Sequence, residues 1–393
     1  MQYNFTTIQP RYTTGSAKWN EIRKVLPGFE GDIVPFSVAD MEFENAPEIR
    51  EGLKKYIDTY VLGYGDLTDA YYEAICGWMK RRHNWDIKRE WIARTPGVIK
   101  AFFTAVKAYT EPGEGVMLLT PSYYPMYAAI SENHRKRVSC SLVNKDGRYE
   151  VGWEDFEAKA KLPDTKLFIL CSPHNPSSRV WTQEELLRMG RICIDNDVVI
   201  CSDEIHFDIV MPGYHHQVFA TLSEEFAQHS VICTAPSKTF NLAGMQNSNI
   251  IIPNKELFDK FYGLLCTEMT NPKCNLLGYE ANRLAYTECD EWLAQCLDVI
   301  NTNRQIVEDF MAKEFPTVRI TPMEGTYLLW MDFNSLGIPY KELGDRMRKE
   351  ALCFFDDGYL FGDEGIGFER WNLACPTRYV EEALERIKKT FKK

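Results

Sequence analysis

The chain has 393 residues, 45% of them hydrophobic and 13% aromatic, with a formal net charge of −11. That is enough apolar material for a sizeable core, in two domains or in one large domain with a satellite. The acidic balance argues against nucleic acid or an anionic membrane surface as the main partner, and no apolar run approaches the roughly 18 residues of a membrane span.

The opening Met1-Gln2-Tyr3-Asn4-Phe5-Thr6-Thr7 has neither the basic nor the apolar stretch of a secretory signal. The first 40 or so residues carry Pro10, Gly15, Pro27, Gly28, Gly31 and Pro35 and read as an irregular arm lying on the rest. From about Pro47 the pattern is helical: Ile49, Leu53, Tyr56, Ile57 and Tyr60 recur at helix spacing, and Tyr71 to Arg82 continues it. From Gly97 onward, helices alternate with short apolar runs at 116–119, 167–170, 198–201, 231–233 and 249–252. Strands spaced this way imply βαβ units, hence an α/β fold with a mainly parallel sheet. Glu291 to Lys313 predicts one long helix with Trp292, Leu293, Leu297, Ile300, Ile306 and Phe310 on its apolar stripe. The runs 318–320, 327–330 and 370–373 predict a smaller α+β unit. The expected division is an arm with part of the small domain over 1–46, a large domain over 47–288, and a small domain over 289–393. None of the 12 cysteines is spaced as CxxC, and Cys171, Cys201 and Cys233 lie inside apolar runs. They read as free buried thiols of a reducing cytoplasm.

Three of the strand-like runs end in polar groups. One ends in Ser172-Pro173-His174-Asn175-Pro176, one in Ser202-Asp203-Glu204-Ile205-His206, one in Pro236-Ser237-Lys238-Thr239. In open α/β sheets, ligands bind beyond the carboxyl ends of the strands. Lys238 is either a solvated surface lysine or a buried one, which loses proton affinity and becomes nucleophilic. Asp203 is a helix cap or a functional carboxylate, and Asn175 a turn residue or a ligand to a cofactor oxygen. Gly97-Val98-Ile99 opens a helix; the glycine is a turn former or lets backbone N–H groups approach an anion. Ser237 adds a hydroxyl that could reach the same anion. Tyr123, with Tyr124 in Pro121-Ser122-Tyr123-Tyr124-Pro125, packs in the core or stacks on a flat ring. Arg370, between apolar residues, makes a surface ion pair or grips a carboxylate with its fork. His215-His216 reads as a loop pair; the histidines show no metal-ligand spacing, so no metal is expected.

Together these motifs resemble the fold-type-I pyridoxal phosphate superfamily, the aminotransferase class I/II group, over nearly the whole chain. Residues 237–244, 172–176 and 202–206 carry the resemblance. Within the group the chain is similar to cystalysin-like bacterial cystathionine β-lyases, the C–S lyases. That narrower match rests on Ser37-Val38-Ala39-Asp40-Met41-Glu42-Phe43, Leu62-Gly63-Tyr64, Asp203 to Asp208 and Gly365 to Arg370. The resemblance implies that Lys238 carries pyridoxal 5′-phosphate as a Schiff base and that Asp203 pairs the ring nitrogen. Asn175 and His206 flank the phenolic oxygen, and Tyr123 stacks on the ring. Gly97, Val98, Ile99 and Ser237 hold the phosphate, joined by Tyr64 from a second subunit, which also serves catalysis. Arg370 takes the substrate carboxylate, with Asn175, Tyr124 and Ala39 beside it. It further implies a seven-stranded sheet in the large domain and a homodimer with shared sites.

Two departures separate the chain from common aminotransferases: His206 stands where Tyr is usual, and Gln246 where an Arg clamps the phosphate. The lyase branch resembles the chain at both. Ser178 stands where both groups carry Gly, so that turn is expected to be strained or reshaped without touching the chemistry. The favoured reading is therefore β-elimination from a small sulfur amino acid. An aminotransferase would use the same residues, but one acting on dicarboxylates needs a second cation that the sequence does not offer. A regulator that keeps only the fold is disfavoured by the complete set Lys238, Asp203, Asn175 and Arg370, and the short arm leaves no room for a DNA-binding domain.

Overall fold

Apolar residues fill both faces of the central sheet, which is why its strands read as continuous runs rather than alternating ones. The computed structural model describes residues 2–29, 31–269 and 275–392. Seven strands form the large sheet: β1 (Ile92–Thr95), β2 (Gly115–Thr120), β3 (Lys136–Ser141), β4 (Thr165–Cys171), β5 (Val199–Asp203), β6 (Ser230–Thr234) and β7 (Ser248–Ile251). Their order is β1-β7-β6-β5-β4-β2-β3. All neighbours are parallel except β7, which runs antiparallel to β1 and β6. Met117, Leu119, Phe168, Leu170 and Ile232 face one core cluster. Val116, Leu118, Leu167, Ile169 and Val231 face the other.

The register of the central strands places the site. Cys171 pairs with Asp203, and Asp203 with Cys233. The carboxyl ends of β4, β5 and β6 therefore lie level, and the segments that follow them open on one side. Beyond β1, α4 (Val98–Tyr109) begins immediately after Gly97.

A second, antiparallel sheet has the order β8-β9-β11-β10, made of β8 (Arg319–Ile320), β9 (Leu328–Asp332), β10 (Asp356–Asp357) and β11 (Phe368–Asn372). The long helix predicted from Glu291 runs Asp290–Glu314. Its buried positions are Trp292, Leu293, Cys296, Ile300, Asn303, Val307 and Met311, one face at helical spacing. Leu297, Ile306 and Phe310 are only partly buried at its margin.

The N-terminal arm is not wholly irregular. Ala17–Val25 forms α1, which buries Lys18, Trp19 and Ile22. Trp19 and Ile22 pack with Ile33 and Phe354, a stripe too short to register between Gly15 and Pro27. α2 (Pro47–Thr59) and α3 (Asp69–His83) follow. In these two sheets, three strands escaped the apolar pattern. β3 is an edge strand with Lys136 and Arg137 exposed, as edges often are. β1 is four residues long, and β10 is a pair of aspartates. Among the described residues, no helix is long and apolar enough to cross a membrane. The described cysteines are free thiols, most of them buried.

Candidate active site

A cavity of about 250 Å³ opens at the level strand ends, lined by Lys238, Asp203, Asn175 and His206. Ala39, Tyr123, Ser237 and the α4 entry Gly97-Val98-Ile99, also singled out in the sequence, line it too, whereas Arg370, Tyr124 and Tyr64 do not. Lys238 sits on the single helical turn Pro236–Thr239, which Pro236 starts. Thr239 Oγ1 fixes that turn by donating to Asp208 Oδ2 at 2.8 Å, and Trp78 Nε1 donates to the other oxygen of Asp208 at 3.1 Å. Lys238 Nζ donates to the carbonyl of Ala39 at 2.6 Å, which also accepts from the Tyr327 hydroxyl at 2.9 Å. Burial brings the lysine down to about 8; Asp40 and Asp203 oppose the shift and Arg370 adds to it. A primary amine in that range is neutral often enough at mild pH to act as nucleophile and base.

Asp203 ends β5 and is buried. One oxygen accepts from the Ile205 N–H at 3.2 Å. Burial pushes the carboxyl up to about 7, with the Ile205 N–H and Lys238 holding it lower than burial alone would. A cationic N–H donor at this carboxylate would offset the cost of burying its charge. His206 is buried and neutral, its pKa driven well down by burial first and by Lys238 and Arg370 next. Its Nδ1 has no hydrogen-bond partner. Buried unpaired polar atoms are rare unless a ligand completes them.

Arg370 lies on β11 behind Asn175. Its Nη1 donates to Asn175 Oδ1 at 2.9 Å, and its Nη2 pairs with Asp356 at 2.5 Å. The guanidinium stands over the Phe361 ring, 4.6 Å from the centroid. With its oxygen occupied, Asn175 has its amide N–H₂ left for a ligand oxygen. Tyr123 is partly buried beside Tyr124, ring centroids 5.1 Å apart, while Tyr124 is exposed outside the cavity wall.

The entry to α4 is shaped for an anion. Gly97 has φ +125°, a backbone state that side chains rarely adopt, and a Cβ there would meet nothing within 4 Å. No side chain caps the helix, so its first N–H groups are free to bind a phosphate. The residues thus fit pyridoxal phosphate at both ends: an uncapped helix start with Ser237 for the phosphate, and a buried carboxylate for the ring nitrogen. The cavity is near the lower end of small-molecule sites, about 300 Å³.

The family model for aminotransferase class I and II matches residues 31–387. The chain belongs to that family. It is 45% identical to cystalysin of Treponema denticola, a structure that contains a pyridoxal 5′-phosphate cofactor; the TM-score is 0.98, covering 100% of this chain and 99% of that one. It is 38% identical to the cystathionine beta-lyase PatB of Bacillus subtilis over 385 residues, 98% of this chain and 99% of that protein. It is 30% identical to the PLP-bound C-S lyase of Staphylococcus hominis, with a TM-score of 0.92 covering 100% of this chain and 99% of that one.

Within this aminotransferase-family site, several wall residues were not assigned a role from the sequence: Cys171, Ala243, Asn247 and Ser248 line the cavity. Gln246, which the resemblance places where an Arg clamps the phosphate, lines it too, at φ +48°. The polar run Gln246-Asn247-Ser248-Asn249 ahead of the β7 apolar pair is the one cue that could have marked them. Asp356 was also missed, because an Asp-Asp pair reads as a solvated turn. Tyr64 is not brought into the cavity of its own chain; it stands fully exposed. Ser178 takes φ +56°, with its hydroxyl 3.0 Å from Thr326 Oγ1 and donating to the Leu328 carbonyl. The strained turn is thus the one expected, braced by its own side chain. His216 is in an irregular segment but buried, with Nε2 on Glu204 at 2.8 Å. Among the described residues, no three metal-binding side chains converge.

Proposed function

We propose that the protein is a pyridoxal-phosphate-dependent, β-eliminating C–S lyase acting on small sulfur-containing amino acids. The carrying observation is one cavity that joins Lys238, Asp203 and Asn175, with Arg370 bonded to Asn175. It occurs in a chain whose full-length relatives include a cystathionine beta-lyase and a C-S lyase.

Pyridoxal phosphate supplies, when bound, the electron sink that makes an amino acid's Cα–H acidic. The chain's residues supply the rest. Lys238 Nζ would anchor the cofactor and, when free, would accept the Cα proton. Asp203 would accept the ring N–H and keep it charged. Asn175 would donate to the phenolic oxygen beside neutral His206, and Tyr123 would pack on the ring. Gly97, Val98, Ile99 and Ser237 would take the phosphate. Arg370 grips the substrate carboxylate, with Ala39 and Tyr124 at the rim, and so fixes the Cα–H bond relative to the base. Cleavage of Cβ–S then releases a thiol, and water converts the remaining fragment to pyruvate and ammonia.

The working protein is read as a homodimer. Tyr60, Val61, Leu62 and Tyr64 form an exposed apolar stretch, of the kind that marks an interface, and Tyr64 would reach the other subunit's phosphate. The domains are taken as 1–46 with part of the small domain, 47–288 and 289–393. The free thiols support a cytoplasmic location.

The test is product analysis with L-cystathionine. Pyruvate, ammonia and homocysteine in equal amounts, without an added 2-oxo acid, are expected. Amino-group transfer that needs an oxo-acid acceptor, with no thiol released, would make the protein an aminotransferase instead.

A further inference from the structure

One oxygen of Asp356 accepts two hydrogen bonds from distant parts of the chain. Arg370 Nη2 gives one, and the backbone N–H of Val38 gives the other at 3.0 Å. The first is built into the sheet, since β10 and β11 set Asp356 opposite Arg370. The second falls on an unusual residue. Val38 has φ +58°, where a β-branched side chain is a genuine outlier. Such a conformation persists only when its surroundings over-determine it, and it clusters at functional sites. Here Asn372 Nδ2 also grips the Val38 carbonyl at 2.8 Å and the Asp40 carbonyl at 2.6 Å. The residue enclosed by these holds is Ala39, whose carbonyl receives Lys238 Nζ.

We propose that Asp356 is a positioning residue that sets both halves of the site at once, holding Arg370 for the substrate carboxylate and Val38 in the strained turn that aims the Ala39 carbonyl at Lys238. The proposal rests on the roles given above to Arg370 and Lys238. The geometry supports it from both sides. With Nη1 on Asn175, Nη2 on Asp356 and Phe361 beneath, the guanidinium cannot turn in its plane. Removing Asp356 frees one side of that plane and leaves a buried cation short of its counter-charge. The same change releases Val38 to relax, and the Ala39 carbonyl moves with it. The charges facing Lys238 are Asp40, Arg370, Asp203 and Lys18. Loss of a carbonyl acceptor disfavours the ammonium form, so the lysine would titrate lower. An Arg370 that swung away would act in the opposite direction, so the sign of the shift tells the two apart.

Two readouts test the link. L-alanine, which has no sulfur to lose, is titrated into the holoenzyme by its visible spectrum. Separately, reductive methylation of Lys238 in the full chain without cofactor is followed by mass spectrometry across pH. Asp356→Ala should raise the L-alanine dissociation constant about tenfold or more and move the methylation midpoint down by about half a pH unit. Asp356→Asn keeps an acceptor oxygen and should restore most of both. Asn372→Ala releases the Val38 and Asp40 carbonyls while leaving Asp356 and Arg370 paired; it should move the midpoint and leave L-alanine binding within about threefold. It also covers the case in which Asp356→Ala does not fold. A midpoint unchanged in the folded variants overturns the proposal, whatever happens to L-alanine. If Arg370→Lys binds L-alanine as tightly as the parent, the carboxylate assignment itself falls, and the proposal with it.

Discussion

Arg370 and Asn175 lie 195 positions apart in sequence and meet at 2.9 Å, Asn175 in the wall of the cavity and Arg370 behind it. The contact joins the small antiparallel sheet to the turn after β4. A group that binds the guanidinium is therefore held in register with whatever Asn175 donates to. For a lyase that relation matters more than either residue alone, because the Cα–H bond must stand at a fixed angle to the cofactor ring while the carboxylate is gripped.

Arg370→Ala should accordingly raise KM for L-cystathionine while leaving the cofactor content near that of the parent. A charge-assisted contact is worth about 1.5–3 kcal/mol, which is roughly 10- to 150-fold in affinity. Steady-state kinetics and the visible spectrum of the same preparation check both parts. Loss of cofactor with KM unchanged would reassign the arginine to another ligand.

The reason this pair was half legible in the sequence is physical. Arg370 sits between Glu369 and Trp371 in a buried strand, and a buried arginine calls for a partner. What it partners cannot be read locally, since both Asn175 and Asp356 reach it through tertiary structure. The parallel sheet was legible because its strands are buried on both faces and read as unbroken apolar runs. β3 and β10 were not, because an edge strand and an Asp-Asp pair have no such run. Asp203, which ends β5, and Lys238, on the turn after β6, announced themselves as polar groups after apolar ones. Gln246 and Asn247 sit before β7 and Ser248 at its start, rather than after a strand, where that argument has no purchase.

Asp203→Asn should show opposite effects with and without cofactor. Burial raises the carboxyl to about 7 from the usual 3.8, so the folded chain binds this proton more tightly than the unfolded one. The cost of burying the charge is therefore absent at pH below about 4, grows as pH rises, and is complete above about 7. In the cofactor-free protein the amide variant should be the more stable at pH 8, by about 4 kcal/mol at most, and the advantage should vanish near pH 4. Cofactor affinity should fall in the same variant, because an amide cannot balance a ring cation. Thermal melts across pH and cofactor titration measure the two signs. A destabilised apo variant at pH 8 would contradict the burial argument.

Ser178 tests how a residue pays for a left-handed backbone, with no effect on chemistry expected. Its hydroxyl donates to the Leu328 carbonyl and lies 3.0 Å from Thr326 Oγ1. Ser178→Ala keeps the strain and orphans the buried acceptors, so it should destabilise by about 1–3 kcal/mol. Ser178→Gly loses the same bonds but relieves about 1–2 kcal/mol of left-handed strain, so its net effect should be close to zero. Urea midpoints of the two variants give the comparison, with KM and kcat as the control. Equal destabilisation by Ala and Gly would mean that the φ of Ser178 carries no strain.

Tyr64 decides whether the site is shared. It is fully exposed in a single chain, next to exposed Val61 and Leu62, and Gly63 and Gly65 flank it. An aromatic so placed gains nothing for its own subunit, and a stretch of exposed apolar residues is costly unless covered. A second copy of the chain covers it in the proposed dimer and receives the tyrosine hydroxyl at its phosphate. Tyr64→Phe should then fold normally, dimerise, and lose cofactor affinity by the worth of one hydrogen bond to a charged group, about 1.5–3 kcal/mol. Mixing subunits is sharper. Lys238→Ala and a severe Tyr64 variant are each expected to be inactive as homodimers. In the heterodimer, one site combines the wild-type Lys238 of one chain with the wild-type Tyr64 of the other, so activity should return to one site in two. Co-expressed, differently tagged chains purified as the heterodimer give that number directly. A heterodimer as inactive as its parents would place the whole site within one chain and leave the exposed stretch to serve another contact.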